Sequence, residues 1–194
     1  MKVKNILIYA GSQKGKNPIF EQEVIQLAQE LKKYEINILY GAGSGGLMGV
    51  FAEEYLRIGG KITGIIPHFM KDMQVHHENL TEIIWVNSMH ERKDLMATKA
   101  DAIIALPGGF GTLDELFEIL TWKQLKLHDL PIGIFNIENF YKNLLQHIDV
   151  LKNEGFVNKH DSSFIFEKDP KILVEKIINT RISKQDKYNH SELI

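Results

Sequence analysis

The chain has 194 residues, 44% apolar and 25% charged, with 25 acids against 23 bases and no cysteine. That length is one globular domain's worth and can bury a full core without staples. Without thiols there are no disulfide frameworks, thiolate zinc sites, iron–sulfur clusters or cysteine nucleophiles, and the near-neutral charge leaves no global basic field for nucleic acid.

The first apolar run, Ile6–Ala10, is broken by Gly11-Ser12-Gln13-Lys14. It falls short of the ~7–15 apolar residues of a signal peptide and the ~20 of a membrane span. A soluble, cytoplasmic protein with no membrane partner is expected. Val3–Ala10 reads as a strand, and Asn17-Pro18 starts a helix whose Phe20, Val24, Leu27, Ala28 and Leu31 share one apolar face. Ile36–Tyr40 is a second strand, Leu47–Ile58 a helix stopped by Gly59-Gly60, and Lys61–Ile66 a third strand closed by Pro67. Residues 68–79 have no clean period and read as a long loop with a helical turn, a place where function often sits. Leu80–Val86 resumes as a strand, and Ser88-Met89-His90-Glu91 is a capping-box start to a helix reaching Ala100. Ala102–Leu106 is a strand, Thr112–Lys126 a helix, Pro131–Phe135 a strand and Asn139–Asn153 a helix. Phe164–Phe166 is a short last strand, and Asp169-Pro170 caps a closing helix to Asn179.

Strands alternating with helices at this spacing imply an α/β, Rossmann-like fold with a mostly parallel sheet and helices on both faces. A single domain over 1–180 and a polar tail over 181–194 are expected. Ligands of such sheets sit at the carboxyl ends of the strands, where strand order reverses.

Three glycine-bearing turns follow strands. Gly41, Gly43 and Gly46 satisfy G-x-G-x-x-G, but the cluster follows the second strand, and the third strand ends in Ile65-Ile66-Pro67 with no acid for a ribose hydroxyl. It also lacks a P-loop lysine. The turn is either a tight strand–helix connection or a backbone phosphate cradle, in which Gly43, Ser44 and Gly45 face an anion and Ser44 supplies a hydroxyl. Pro107-Gly108-Gly109-Phe110-Gly111-Thr112 likewise leaves a buried strand and opens a helix, and Gly11-Ser12 is a third wall. Their convergence points to one phosphorylated ligand.

Among the 23 basic residues only Arg57, Arg92 and Arg181 are arginine. Arg92 and Lys93 lie in the first turn of a helix, the wrong end for cations. An anionic ligand explains them, since arginine binds phosphate bidentately; pairing with Glu91 or Asp94 on a solvated face is the alternative. Thr112-x-x-Glu115 is itself a capping box. Otherwise Glu115 faces the ligand from a first helical turn, held ionised by the positive helix end, which suits a base or a stabiliser of positive charge. His76, His77 and His90 have no ligand spacing, so no metal and only loop or supporting roles are expected.

Met89-x-x-Arg92-Lys93 followed by Pro107-Gly108-Gly109-Phe110-Gly111-Thr112-Leu113-Asp114-Glu115 resembles the signature pair of the Lonely guy family, cytokinin riboside 5′-monophosphate phosphoribohydrolases often mislabelled as lysine decarboxylases. Tyr40–Gly49 and Thr121-Trp122-Lys123-Gln124-Leu125 are similar to further family segments, and the resemblance covers about residues 3–155. It implies hydrolysis of a nucleoside 5′-monophosphate to free base and ribose 5-phosphate by a Rossmann-like homodimer with no organic cofactor. By motif, Arg92 and Glu115 match the catalytic pair. Met89, Lys93, Gly108, Gly109, Phe110, Gly111, Thr112, Leu113, Asp114 and Thr121 fall in the segments that carry substrate. Gln74 stands where many members carry an acid, and a side chain there contacts the base in this reading.

Two other functions compete. A non-catalytic nucleotide carrier or sensor would use the same fold and loops, as molybdenum-cofactor carrier proteins do. A pyridoxal-phosphate decarboxylase would need a Schiff-base lysine, and none stands in a recognisable setting.

Overall fold

The computed structural model describes residues 2–73, 75–159 and 163–180. Gln74, Arg181 and the 181–194 tail lie outside the described residues. Seven strands form one all-parallel sheet: β1 (Asn5–Tyr9), β2 (Asn37–Tyr40), β3 (Lys61–Pro67), β4 (Glu82–Val86), β5 (Ala102–Ala105), β6 (Ile132–Phe135) and β7 (Ile165–Glu167). Their order is β4-β3-β2-β1-β5-β6-β7. The helices are α1 (Ile19–Lys32), α2 (Gly46–Arg57), α3 (Met89–Lys99), α4 (Phe110–Gln124), α5 (Lys142–Asn153) and α6 (Pro170–Asn179).

Side-chain alternation along the strands feeds two cores. Ile6 and Ile8 of β1 point to one face, where Val24 and Leu27 of α1, Phe51 and Tyr55 of α2 and Leu173 and Ile177 of α6 cover them. Leu7 and Tyr9 point to the other, against Met96 of α3 and Leu116 and Ile119 of α4. Strands buried on both faces read as unbroken apolar runs, as Ile132–Phe135 does.

Local signals explain most boundaries, and the departures have causes. Ser88 Oγ accepts from the Glu91 amide at 3.0 Å, while Glu91 reaches back one residue further than a standard box, to the Asn87 amide at 2.7 Å. Asp169 caps α6 through the Ile172 amide at 2.9 Å. The helix expected from Asn139 starts instead at Lys142, because Glu138 and Asn139 sit at φ 49° and 60° and cannot continue a right-handed helix. The helix expected from Thr112 starts two residues earlier, with Gly109 as N-cap, and Lys126 at φ 60° lies just beyond its end. The irregular loop carries a 3-10 turn over His68–Met73. Val75–His77 then runs along the turn after β2: Ser44 N donates to Val75 O (2.9 Å), His77 N donates to Ala42 O (2.8 Å), and Gly43 bridges His76.

Candidate active site

Strand order reverses between β1 and β5, so the crevice of the sheet opens where their carboxyl ends diverge. The two turns there are in contact. Gly11 N donates to Pro107 O at 3.1 Å, and a Cβ on Gly11 would lie 3.0 Å from Gly108 Cα. Two cavities flank this contact and share Ser12 and Gly109. One, of about 230 Å³, is lined by Met48, Met89, Arg92, Lys93, Glu115 and the Gly109–Thr112 turn, among others. Its neighbour, of about 200 Å³, is walled chiefly by Phe20, Leu47, Pro107 and Phe140.

The first cavity brings Arg92 and Glu115 together from separate elements. Arg92 Nη1 lies 3.4 Å from Glu115 Oε1, and both side chains are nearly buried, 12% and 13% exposed. Arg92 Nε also donates to the β3 carbonyl of Ile65 at 3.1 Å. Neither Glu91 nor Asp94 is the partner that explains Arg92. Glu115 departs from expectation in two ways. Because α4 begins at Phe110, Glu115 stands in its second turn, and the Thr112-x-x-Glu115 capping box does not form. Burial raises the Glu115 pKa above the ordinary carboxylate value, against the pull of Arg92 and Lys93. A carboxyl group poised nearer neutrality is a better proton acceptor than a fully stabilised one.

Lys93 is not free to meet an anion. Its ammonium pairs with Asp114 Oδ2 at 2.7 Å and Glu118 Oε2 at 3.2 Å. Burial alone would lower its pKa, but these two carboxylates together raise it.

The two helix N-termini differ sharply. At α2 the amides of Leu47 and Met48 donate to the Gly11 carbonyl at 3.0 and 3.3 Å, and Ser44 spends its amide and hydroxyl on Val75 O at 2.9 and 3.0 Å. Of the phosphate cradle expected at Gly43, Ser44 and Gly45, the Ser44 groups are therefore taken by the chain, while the amides of Gly43 and Gly45 have no partner among the described residues. At α4 the amides of Phe110, Gly111 and Thr112 have no partner among the described residues and border the cavity. A Cβ added to Gly109 or Gly111 meets nothing within 4 Å, so nothing in the protein itself requires glycine there. The anion-ready end is that of α4.

Other candidate residues fall into place around this centre. Met89, Asp114 and Ser12 line the cavity, and Phe110 stands at its rim, 94% exposed. Gly108 lines only the neighbouring cavity, packed under Thr112 Oγ1. Leu113 turns away into the core. Thr121 is not brought to the site: it lies further along α4, donates to Phe117 O at 2.7 Å and borders a different cavity. His76 packs edge-on to Trp85, His77 Nδ1 accepts from the Asn79 amide at 3.2 Å, and His90 is exposed. Sequence reasoning missed Met48 as a cavity wall and the Ile65 carbonyl as a rest for Arg92. Met48 carries an apolar signal indistinguishable from core, and a backbone acceptor leaves no trace in side-chain pattern.

Comparison with known proteins follows the same lines. Residues 48–177 match the family model described as "possible lysine decarboxylase". The chain is 41% identical over 178 residues to the cytokinin riboside 5′-monophosphate phosphoribohydrolase LOG5 of Arabidopsis thaliana, covering 91% of this chain and 78% of that one. It is 38% identical over 177 residues to the probable enzyme of the same name, LOGL2, of Oryza sativa subsp. japonica, covering 91% and 72%. Among solved structures, the molybdenum cofactor binding protein of Rippkaea orientalis superposes with a TM-score of 0.67 at 19% identity over 91% of this chain and 96% of that one, a likeness of fold alone. With the signature residues gathered around one cavity and relatives this close across most of its length, the chain belongs to the Lonely guy family of cytokinin riboside 5′-monophosphate phosphoribohydrolases, which the family model describes by its older decarboxylase wording.

Proposed function

We propose that the protein hydrolyses the N-glycosidic bond of a purine nucleoside 5′-monophosphate, of adenine or cytokinin type, giving free base and ribose 5-phosphate. The observation that carries this reading is the Arg92–Glu115 pair facing the same cavity as the open amides of Phe110–Thr112. The 5′-phosphate sits on those amides, at the positive end of α4, and so fixes the ribose. As the C1′–N9 bond breaks, its electron pair leaves with the base and positive charge builds on the ribose ring. Glu115 opposes that charge and takes a proton from the attacking water, whose oxygen bonds to C1′. The departing base takes up one proton, so the overall reaction consumes one water.

Arg92 holds the Glu115 carboxylate in line and helps keep it ionised. Its place beside Glu115 favours the reacting ribose over the phosphate as its target. The reaction needs no organic cofactor in this scheme. Lys93 and Lys14, the cavity lysines, are both ion-paired and held protonated, the opposite of what Schiff-base chemistry asks of a lysine. Phe117 and Thr121 of α4 and Leu125 at its C-cap form an exposed stripe at four-residue spacing, and this supports a homodimer. A cytoplasmic location fits a nucleotide substrate, and no helix among the described residues is long and apolar enough to cross a membrane.

The test is incubation with AMP, N6-isopentenyl-AMP and the matching nucleosides, followed by quantification of free base. Base release confined to the monophosphates is expected. Tight nucleotide binding with no release would favour a carrier instead.

A further inference from the structure

The turn after β2 spends the Ser44 amide and hydroxyl on Val75, and it carries two glycines that the cavity needs. A Cβ on Gly41 would lie 1.9 Å from Arg92 Nη2 and 3.1 Å from its Cζ, and the three atoms nearest to it all belong to that guanidinium. A Cβ on Gly43 would lie 2.6 Å from Met48 Cε. The two cavity side chains that approach from this side thus rest on bare backbone. Between them Ala42 is fully buried with φ 62°, a conformation that is costly for a residue with a Cβ. What holds it there is the Val75–His77 segment, through the Ser44–Val75, Gly43–His76 and His77–Ala42 pairings, with Gly64 leaving room on the other side for the Ala42 methyl.

We infer that the Gly41–Gly43 turn is a seat for Arg92, and that Gly41 is a positioning residue that acts on the reaction through the guanidinium. The turn abuts the Nη2 end of the guanidinium while the Ile65 carbonyl fixes Nε. Together they leave Nη1 facing Glu115. Strain at Ala42 and the clamping strap make the seat rigid, and a planar fork needs a rigid seat to keep its orientation.

This inference rests on the hydrolase reading for its kinetic test, and a second readout keeps the two apart. Gly41→Ala is expected to fold normally, because the atoms nearest the added methyl are the far end of one side chain, and to lower kcat about 10–100-fold with KM for the monophosphate changed less than about threefold. A phosphate cradle would give the reverse, a large rise in KM and in the dissociation constant for ribose 5-phosphate, and that result would overturn the proposal. Arg92→Lys removes the fork that Gly41 seats, so in an Arg92→Lys background Gly41→Ala should cost less than about threefold. Full additivity would also overturn it. Carbon-13 NMR titration of Glu115 gives the readout that needs no turnover. Displacing Arg92 removes a charge that lowers the Glu115 pKa, so Gly41→Ala should titrate at higher pH than the wild type. An unmoved titration would sink the seat even if the protein hydrolysed nothing.

Discussion

Replacing Glu115 by Gln keeps the shape of the side chain and removes its charge. In the folded protein this carboxylate is nearly buried and lies 3.4 Å from Arg92 Nη1. At a similar distance from a developing ribosyl cation, a unit charge is worth roughly 5 kcal/mol with an effective dielectric of about 20. A neutral amide dipole retains part of that, leaving a loss of about 3–4 kcal/mol, or about 10²–10³ in kcat. KM should move little, since the phosphate amides and the cavity walls are untouched. Folding should survive: burial makes the ionised carboxylate costly, which offsets the loss of a partner for Arg92. The assay is base release at saturating monophosphate, with thermal denaturation alongside. The pH profile gives a second check. The Glu115 pKa is raised, so the active carboxylate is lost as pH falls through a value above the ordinary carboxylate range. The acidic limb of kcat should therefore lie above pH 4.5 in the wild type and vanish in the variant. A Glu115→Gln enzyme within threefold of wild type would refute the reasoning.

Other consequences are separable from this one. Gly109→Ala and Gly111→Ala meet no protein atom, so both should keep the wild-type Tm while weakening ribose 5-phosphate binding at least ~10-fold in calorimetry; unchanged binding would move the phosphate elsewhere. The Tyr40 hydroxyl is buried with no hydrogen-bond partner among the described residues, so Tyr40→Phe should stabilise the fold by about 1 kcal/mol, seen as a rise of roughly 2–4 °C in Tm. His128 is buried, accepts from the Leu130 amide at 3.1 Å and faces the Ile119 carbonyl at 2.9 Å, and burial lowers its pKa to about 4. Protonation then favours the unfolded chain. Its contribution is whole above pH 6.5, its unfolded value, and is lost as pH falls toward about 4, roughly 3 kcal/mol in all. Urea titrations across that range measure the loss, and an NMR titration of His128 near pH 6.5 would contradict it.

The sheet was legible because its strands are short apolar runs between glycine turns, and β1, β5 and β6 read directly as buried parallel strands. The helix starts at Ser88 and Asp169 were legible for the same kind of reason, a side-chain oxygen placed to take an amide hydrogen. Where the backbone itself decides, pattern fails. Glu138 and Asn139 adopt left-handed conformations that residue type does not announce, and Gly109 begins α4 before the residue whose side chain looks like a cap. Arg92 and Glu115 stood out by type and position, yet their partners did not. A charged residue at a helix start signals that something compensates it, and only the fold supplies Glu115 and the Ile65 carbonyl. The same limit hid the difference between the two glycine turns. Both read as cradles for an anion. At one the Gly11 carbonyl and Val75 take the Ser44, Leu47 and Met48 amides, and at the other the Phe110–Thr112 amides have no partner among the described residues.

The central claim concerns the bond that breaks. The most direct measurement incubates the wild-type protein with AMP or N6-isopentenyl-AMP and counts free base and ribose 5-phosphate together. Equal amounts of the two, rising with time and abolished to about 10⁻² or less by Glu115→Gln, are expected. Intact nucleotide recovered after binding, or base release that persists in that variant, would contradict the account.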